Sequence, residues 1–189
     1  QIKQIAIGLE NSGQRFLWVV QAIKDPNKMF GTYDKPEFEL DHVLPAGFLN
    51  RTKERGMIVK TWVPQIQVLH HESICGFVTH CGWNSVLEAV TAGKPMVCWP
   101  LHSEQRLNKA ILADHEMRLS VAIEGYDEDM VVAEEVEAKV RWLIETEGGK
   151  LLKERTKVMK VKAMESLSEA GSSSKAFMQF LKDLERHKL

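Results

Sequence analysis

Apolar positions along this chain follow two rhythms. Ile2, Ile5, Ala6 and Leu9 fall at i, i+3, i+4 and i+7, the spacing of one helix face. Asn11-Ser12-Gly13 ends that pattern, with Gly13 able to take a left-handed cap. Arg15 to Val20 (RFLWVV) reads as a buried strand. Residues 24–46 show no steady period and are rich in Asp, Pro, Lys and Gly, which predicts a long surface excursion. Met57 to Lys60 predicts a short strand and Gln65 to His70 a short helix. Ile74 to Thr79 is an apolar strand, Asn84 to Thr91 a helix closed by Gly93 and Pro95, and Met96 to Trp99 a strand. Gln105 to Asp114 follows as a helix and Leu119 to Ile123 as a strand. A helix over about Ala133 to Glu145 carries Val136, Val140, Leu143 and Ile144 on one face, and a longer one covers about Lys150 to Glu169. Gly171-Ser172-Ser173-Ser174 breaks it. Ser172 or Ser173 is placed to cap a final helix that carries Phe177, Phe180, Leu181 and Leu184.

Strands alternating with helices predict an α/β fold, a Rossmann-like parallel sheet with helices on both faces. Ligands of such sheets collect beyond the carboxyl ends of the strands, beside helix N-termini. The length, 189 residues, suits one domain with a full core. Lys and Arg number 25 against 26 Asp and Glu, a balance that asks for neither nucleic acid nor an anionic membrane. No apolar run approaches the length needed to span a bilayer, and QIKQIAIGLENSG is an amphipathic segment rather than a signal peptide. Cys75, Cys81 and Cys98 lack CxxC spacing and each lies in or beside an apolar run, so they read as buried free thiols of a reducing cytosol.

Candidate chemistry concentrates where strands hand over to helices. At His80-Cys81-Gly82-Trp83-Asn84-Ser85 a strand ends, the chain turns at Gly82 and a helix starts. Unpaired N–H groups and the positive end of the helix dipole make an anion site there. His80 adds a donor, Ser85 a hydroxyl, and Gly82 close approach of the backbone, so a diphosphate fits. An ordinary capped helix with a satisfied histidine is the plainer reading of this string alone. Glu88 shares a helix face with Asn84 and Ser85, and its carboxylate suits a vicinal diol. Pro64 holds Val63 extended and so fixes how Trp62 is presented. An indole face stacks on a nucleobase for about 1–3 kcal/mol, although a lone Trp is more often core. Glu104-Gln105 sets a carboxylate beside a carboxamide, a pair suited to adjacent sugar hydroxyls.

Three other patterns lead elsewhere and are weaker. Asp127-Glu128-Asp129 spells an Asp-x-Asp metal motif but follows Gly125-Tyr126, as an exposed acidic turn would. His70-His71 with His80 lacks a carboxylate or thiol to complete a zinc set. His80, Ser85 and Glu88 include the residue types of a hydrolase triad, yet crowd into one turn without a G-x-S-x-G.

The whole stretch WVPQIQVLHHESICGFVTHCGWNSVLEAVTAGKPMVCWPLHSEQ, Trp62 to Gln105, resembles the signature box of plant secondary-product UDP-glycosyltransferases of the UDP-glucose-dependent, flavonoid and isoflavonoid type. QIKQIAIGLENSGQRFLWVV and the tail resemble flanking parts of the same family. The resemblance implies that residues 1–189 are a single nucleotide-sugar donor-binding domain, the C-terminal half of a GT-B enzyme, with a C-terminal helix at about 173–186. It implies UDP-glucose as donor substrate, no metal and a cytoplasmic site of action. It places Trp62 on uracil, the backbone of Val63 on the base edge, and Gln65 and Glu88 near the ribose. His80, Gly82, Asn84 and Ser85 fall around the diphosphate, and Glu104 and Gln105 on the hexose. A closing Gln goes with glucose where His goes with galactose, and Trp83 suits a neutral hexose. Glu104 departs from the family's more familiar Asp, which lengthens that contact by one methylene. In the family the catalytic His and its Asp partner lie in an N-terminal acceptor domain, and the expectation is that this chain lacks that domain and also lacks a serine-containing phosphate loop just before Gln1. The expectation is therefore a donor-binding domain that is inactive alone, belongs to an inverting glucosyltransferase of plant phenolics, and is open to self-association through its last helix. The alternative is a non-catalytic nucleotide-sugar binding module that works with a separate partner chain.

Overall fold

The computed structural model describes residues 1–20, 39–114 and 117–186. Helix α1 (Ile2–Ser12) ends as its sequence dictates, with Gly13 at φ 71° in the left-handed region. Strand β1 (Phe16–Val19), helices α2 (Leu40–Val43) and α3 (Phe48–Thr52), and strand β2 (Gly56–Val59) follow. Then come α4 (Gln65–His70), β3 (Phe77–Thr79), α5 (Trp83–Ala92), β4 (Met96–Cys98), α6 (Gln105–Lys109) and β5 (Ser120–Ala122). Helices α7 (Ala133–Glu145), α8 (Glu147–Leu167) and α9 (Ser172–Arg186) complete the described chain.

All strand pairs are parallel. They form two hydrogen-bonded groups, β1 with β2 and β3-β4-β5, and Val78, Val97 and Val121 share one register row of the second group. β4 is the middle strand, and both of its faces are covered. Met96 and Cys98 join Val86, Ala89 and Val90 of α5 with Leu112 and Leu119. Val97 joins Trp99 and Ile123 with Val136 and Leu143 of α7 and Leu152 of α8. Two-sided burial is why this strand is a continuous apolar run rather than an alternating one. A third cluster centres on Ala6, Leu44 and Phe48. Helices α1 and α7 pack closely at Gly8, where an added Cβ would lie 2.6 Å from both Ala133 O and Val136 Cβ. The Gln4 carboxamide oxygen accepts from Ala133 N at 2.8 Å and satisfies a donor at the start of α7.

Several expectations change. Of the predicted excursion over 24–46, residues 24–38 lie outside the described residues; the remainder contains α2, whose Leu40 and Val43 pack against the third cluster. The helix expected over Gln105 to Asp114 is α-helical only to Lys109, and Ala110–Asp114 widens into a π turn. There Leu112 O accepts from Leu119 N at 2.8 Å, which leads the chain into β5. α8 starts at Glu147 rather than Lys150 because the Thr146 side chain accepts from Gly149 N. Ser172 and Ser173 lie within the first turn of α9 instead of capping it; Gly171 O takes the first helical bond, from Lys175 N at 3.0 Å. Cys81 and Cys98 are buried free thiols, but Cys75 is exposed, since β3 begins only at Phe77.

Candidate functional site

Register decides where the site forms. Thr79 pairs with Cys98, so the carboxyl ends of β3 and β4 release their loops at the same edge. The first loop runs through His80, Cys81 and Gly82 into α5, and the second through Trp99 to Glu104 into α6. Between them lies a cleft of about 300 Å³ lined by His80, Gly82, Trp83, Asn84, Ser85 and Glu104.

The start of α5 is open. Gly82 precedes it in extended geometry and supplies no capping side chain, and the first internal bond is Val86 N to Gly82 O at 3.1 Å. The N–H groups of Trp83, Asn84 and Ser85 therefore have no partner within the helix, and they carry the positive end of its dipole. Any constraint on Gly82 comes from a contact rather than from its dihedral. A Cβ there would sit 2.5 Å from His80 Nε2, so the imidazole rests over the glycine at the mouth of the cleft.

A second group adjoins the first. Gln65, the first residue of α4, donates from Nε2 to Ser85 Oγ at 3.2 Å and to Glu88 Oε2 at 2.7 Å. The structure thus brings Gln65 and Glu88, both expected near the ribose, together with Ser85, expected at the diphosphate. Trp62 stands just before α4 with 78% of its surface exposed, an indole face open to solvent. Val63 is half-buried beside it, and neither residue lines the cleft.

The Glu104-Gln105 pair divides. Glu104 is exposed on the cleft wall. Gln105 is only 3% exposed. Its Oε1 accepts from Leu101 N at 2.9 Å and His102 N at 3.1 Å, and its Nε2 lies 3.2 Å from His102 Nδ1. The Gln105 carboxamide holds the 101–104 turn in place, and the neighbouring carboxylate is the group presented to the cleft.

Two residues of the site escaped the sequence. Cys81, between His80 and Gly82, is a non-glycine residue at φ 66°, and buried Asn108 of α6 donates from Nδ2 to Cys81 O at 2.9 Å. The one available signal was the three-residue spacing of Gln105 and Asn108, two polar side chains on one face of a helix. The neighbouring Cys98 thiol and burial push the Cys81 thiol well above the ordinary thiol range, so this sulfur is packing and not a nucleophile. Asp127, Glu128 and Asp129 are exposed in a turn closed by Glu128 N to Gly125 O at 3.1 Å. Among the described residues no three His, Cys, Asp or Glu side chains group as a metal site. No helix there is long and apolar enough to cross a membrane.

Comparison with known proteins identifies the family. The family model described as UDP-glucoronosyl and UDP-glucosyl transferase matches residues 1–161. UDP-glycosyltransferase 88F3 of Pyrus communis is 51% identical over 97% of this chain and 38% of its own length. A phloretin 2'-O-glucosyltransferase of Malus domestica is 50% identical, again over 97% of this chain and 38% of its own. The structure of Phytolacca americana UGT2 complexed with UDP-2fluoro-glucose and pterostilbene superimposes with a TM-score of 0.83 at 36% identity, covering 97% of this chain and 38% of that one. The chain spans about two-fifths of the length of the curated relatives it matches. With an α/β fold of parallel strands, a cleft at the start of α5 and a matching family model over most of its length, this chain belongs to the UDP-glucoronosyl and UDP-glucosyl transferase family.

Proposed function

We propose that residues 1–189 form the UDP-glucose-binding half of an inverting glucosyltransferase that acts on hydroxyls of plant phenolics. One observation carries the reading: the uncapped start of α5 opens into a cleft that also holds His80 and Glu104. Unpaired N–H groups at a helix start bind a diphosphate, and Glu104 offers acceptors to hexose hydroxyls within the same space. Trp62 stacks on the uracil with Val63 at the base edge, and Glu88, steadied by Gln65, accepts from the ribose diol. Gln105 shapes the turn that carries Glu104. The named activity of the Malus domestica relative and the ligands of the Phytolacca americana structure support this donor and this acceptor class.

In the reaction the acceptor hydroxyl attacks the anomeric carbon, its proton passes to a base, and UDP departs with inversion. This chain supplies the second half of that event. The α5 N–H groups and His80 take up charge that grows on the departing diphosphate, which lowers the barrier only if they are already in place. The resembled family uses a histidine of its acceptor domain as that base, and on this reading residues 1–189 by themselves transfer no glucose. No metal enters this scheme, and the two buried free thiols suit a cytosolic protein. The final helix leaves Phe177, Phe180 and Leu184 exposed, and this stripe drives self-association at high concentration; a single monomer boundary in sedimentation would exclude it.

Titration calorimetry with UDP-glucose and UDP-galactose, without added metal and beside Trp62→Ala, tests the reading. We expect a dissociation constant of about 10 μM to 1 mM for UDP-glucose, weaker binding of UDP-galactose, and loss of both in the variant. No binding by the unsubstituted chain would refute a self-sufficient donor domain. The second reading, a non-catalytic module with a separate partner chain, predicts the same binding but a coding sequence with its own start near Gln1.

A further inference from the structure

Cys81 poses a physical problem that no cleft residue solves. A residue with a β-carbon avoids the left-handed region, yet Cys81 sits there at φ 66°, fully buried, in the one position between His80 and Gly82. A buried strained residue persists only where its surroundings hold it. Thr79 Oγ1 accepts from Cys81 N at 3.2 Å, and on the other side Asn108 Nδ2 donates to Cys81 O at 2.9 Å. Asn108 comes from a different element, one turn into α6, and is itself 6% exposed. Its own backbone N is bonded to Glu104 O at 3.0 Å, so the same residue is joined to the cleft wall on both loops.

Peptide geometry gives this contact a consequence. The unit joining Cys81 to Gly82 is trans and planar, so its carbonyl and the Gly82 N–H lie on opposite sides. Fixing the carbonyl on Asn108 fixes the direction of that N–H and the angle at which the chain enters α5. We propose that Asn108 is a positioning residue for the diphosphate: through Cys81 it sets the turn that aims the Gly82 and α5 N–H groups, without touching the ligand. The proposal rests on the donor-binding reading above and adds a residue to it. The signature stretch, Trp62 to Gln105, does not contain Asn108.

A diphosphate-specific role predicts a diphosphate-specific loss. The experiment compares uridine and UDP as ligands of the 189-residue chain, unsubstituted and as Asn108→Ala and Asn108→Asp. The alanine variant removes the donor, and the isosteric aspartate keeps the shape but cannot donate when ionised. Both are expected to bind UDP about tenfold more weakly, because the Gly82 and α5 N–H groups must be re-aimed on binding, with uridine affinity unchanged. Retained uridine binding also certifies that each variant is folded. Equal losses for uridine and UDP would make Asn108 a core residue only and overturn the proposal. Unchanged UDP affinity in either variant would do the same. If the unsubstituted chain binds neither ligand, the donor-binding reading fails first and this inference with it. If it binds uridine and UDP equally, only the diphosphate part, and so this inference, is refuted.

Discussion

Gln65 Nε2 donates to Glu88 Oε2 at 2.7 Å, tying the first turn of α4 to the outer face of α5. The bond holds the Glu88 carboxylate in one rotamer, and under the proposed function its other oxygen, Oε1, accepts from the ribose. Glu88→Ala is expected to weaken UDP binding about tenfold, the scale of a charge-assisted hydrogen bond. The same substitution should leave 2',3'-dideoxy-UDP unaffected, because that analogue lacks the hydroxyls in question. Equal weakening of both ligands in calorimetry would remove Glu88 from the ribose.

Gly82→Ala tests the approach of His80. Gly82 has φ −60°, so alanine brings no backbone strain, but its Cβ would meet the imidazole at 2.5 Å. The ring is a side chain that can swing away, so thermal stability should change by less than about 2 °C. Affinity for UDP should fall by about an order of magnitude as the displaced ring leaves the cleft mouth. Melting and titration of one preparation measure both.

At Gly8 the collision is with fixed atoms. Ala133 O and the β-carbon of Val136 leave no room for a methyl group between α1 and α7. Gly8→Ala should therefore destabilise the chain by about 1–3 kcal/mol despite the better helix propensity of alanine. Urea unfolding reads this as a lower midpoint at unchanged slope.

The Arg51 guanidinium, which donates from Nη2 to Glu10 Oε2 at 3.0 Å, holds the Glu10 carboxyl below its ordinary range. A depressed carboxylate stabilises the fold above its unfolded value, near 4.3 for Glu, and loses that contribution as pH falls through the folded value. Glu10→Gln should thus lower the midpoint of urea unfolding slightly at neutral pH and not at all in strongly acidic buffer. High salt should shrink the neutral-pH difference, since the Arg51 side chain is half-exposed and its charge is open to screening.

Much of this could be read from the chain because it is local. Gly13 and Gly93 end helices that their periodicity had already bounded, and both take the left-handed cap. The apolar run at Met96 marked a strand buried on both faces. The turn at Gly82 followed from a strand running into a helix with glycine between. What stayed hidden depends on residues far apart in sequence. Thr79 restrains Cys81 from two residues away, but the hold on its carbonyl comes from Asn108, 27 positions on, which no local pattern announces. The inward turn of Gln105 is set by the backbone N–H groups of a loop whose path no propensity describes. The change to a π turn at Ala110 likewise follows from where Leu119 must enter β5, a demand of the sheet and not of the helix.

Trp62, bare to solvent beside α4, also makes the molecule its own optical sensor. Of five tryptophans, Trp99 is shut inside the core, while Trp62 and Trp83 are both in contact with water. Under the proposed function, a planar base settling on Trp62 dries one indole face and couples it electronically to a second ring. Its emission must then dim and shift while that of Trp99 stays constant. Occupancy of the site can be followed by light alone, in an unlabelled protein, residue by residue as each of the two outer indoles is replaced by phenylalanine.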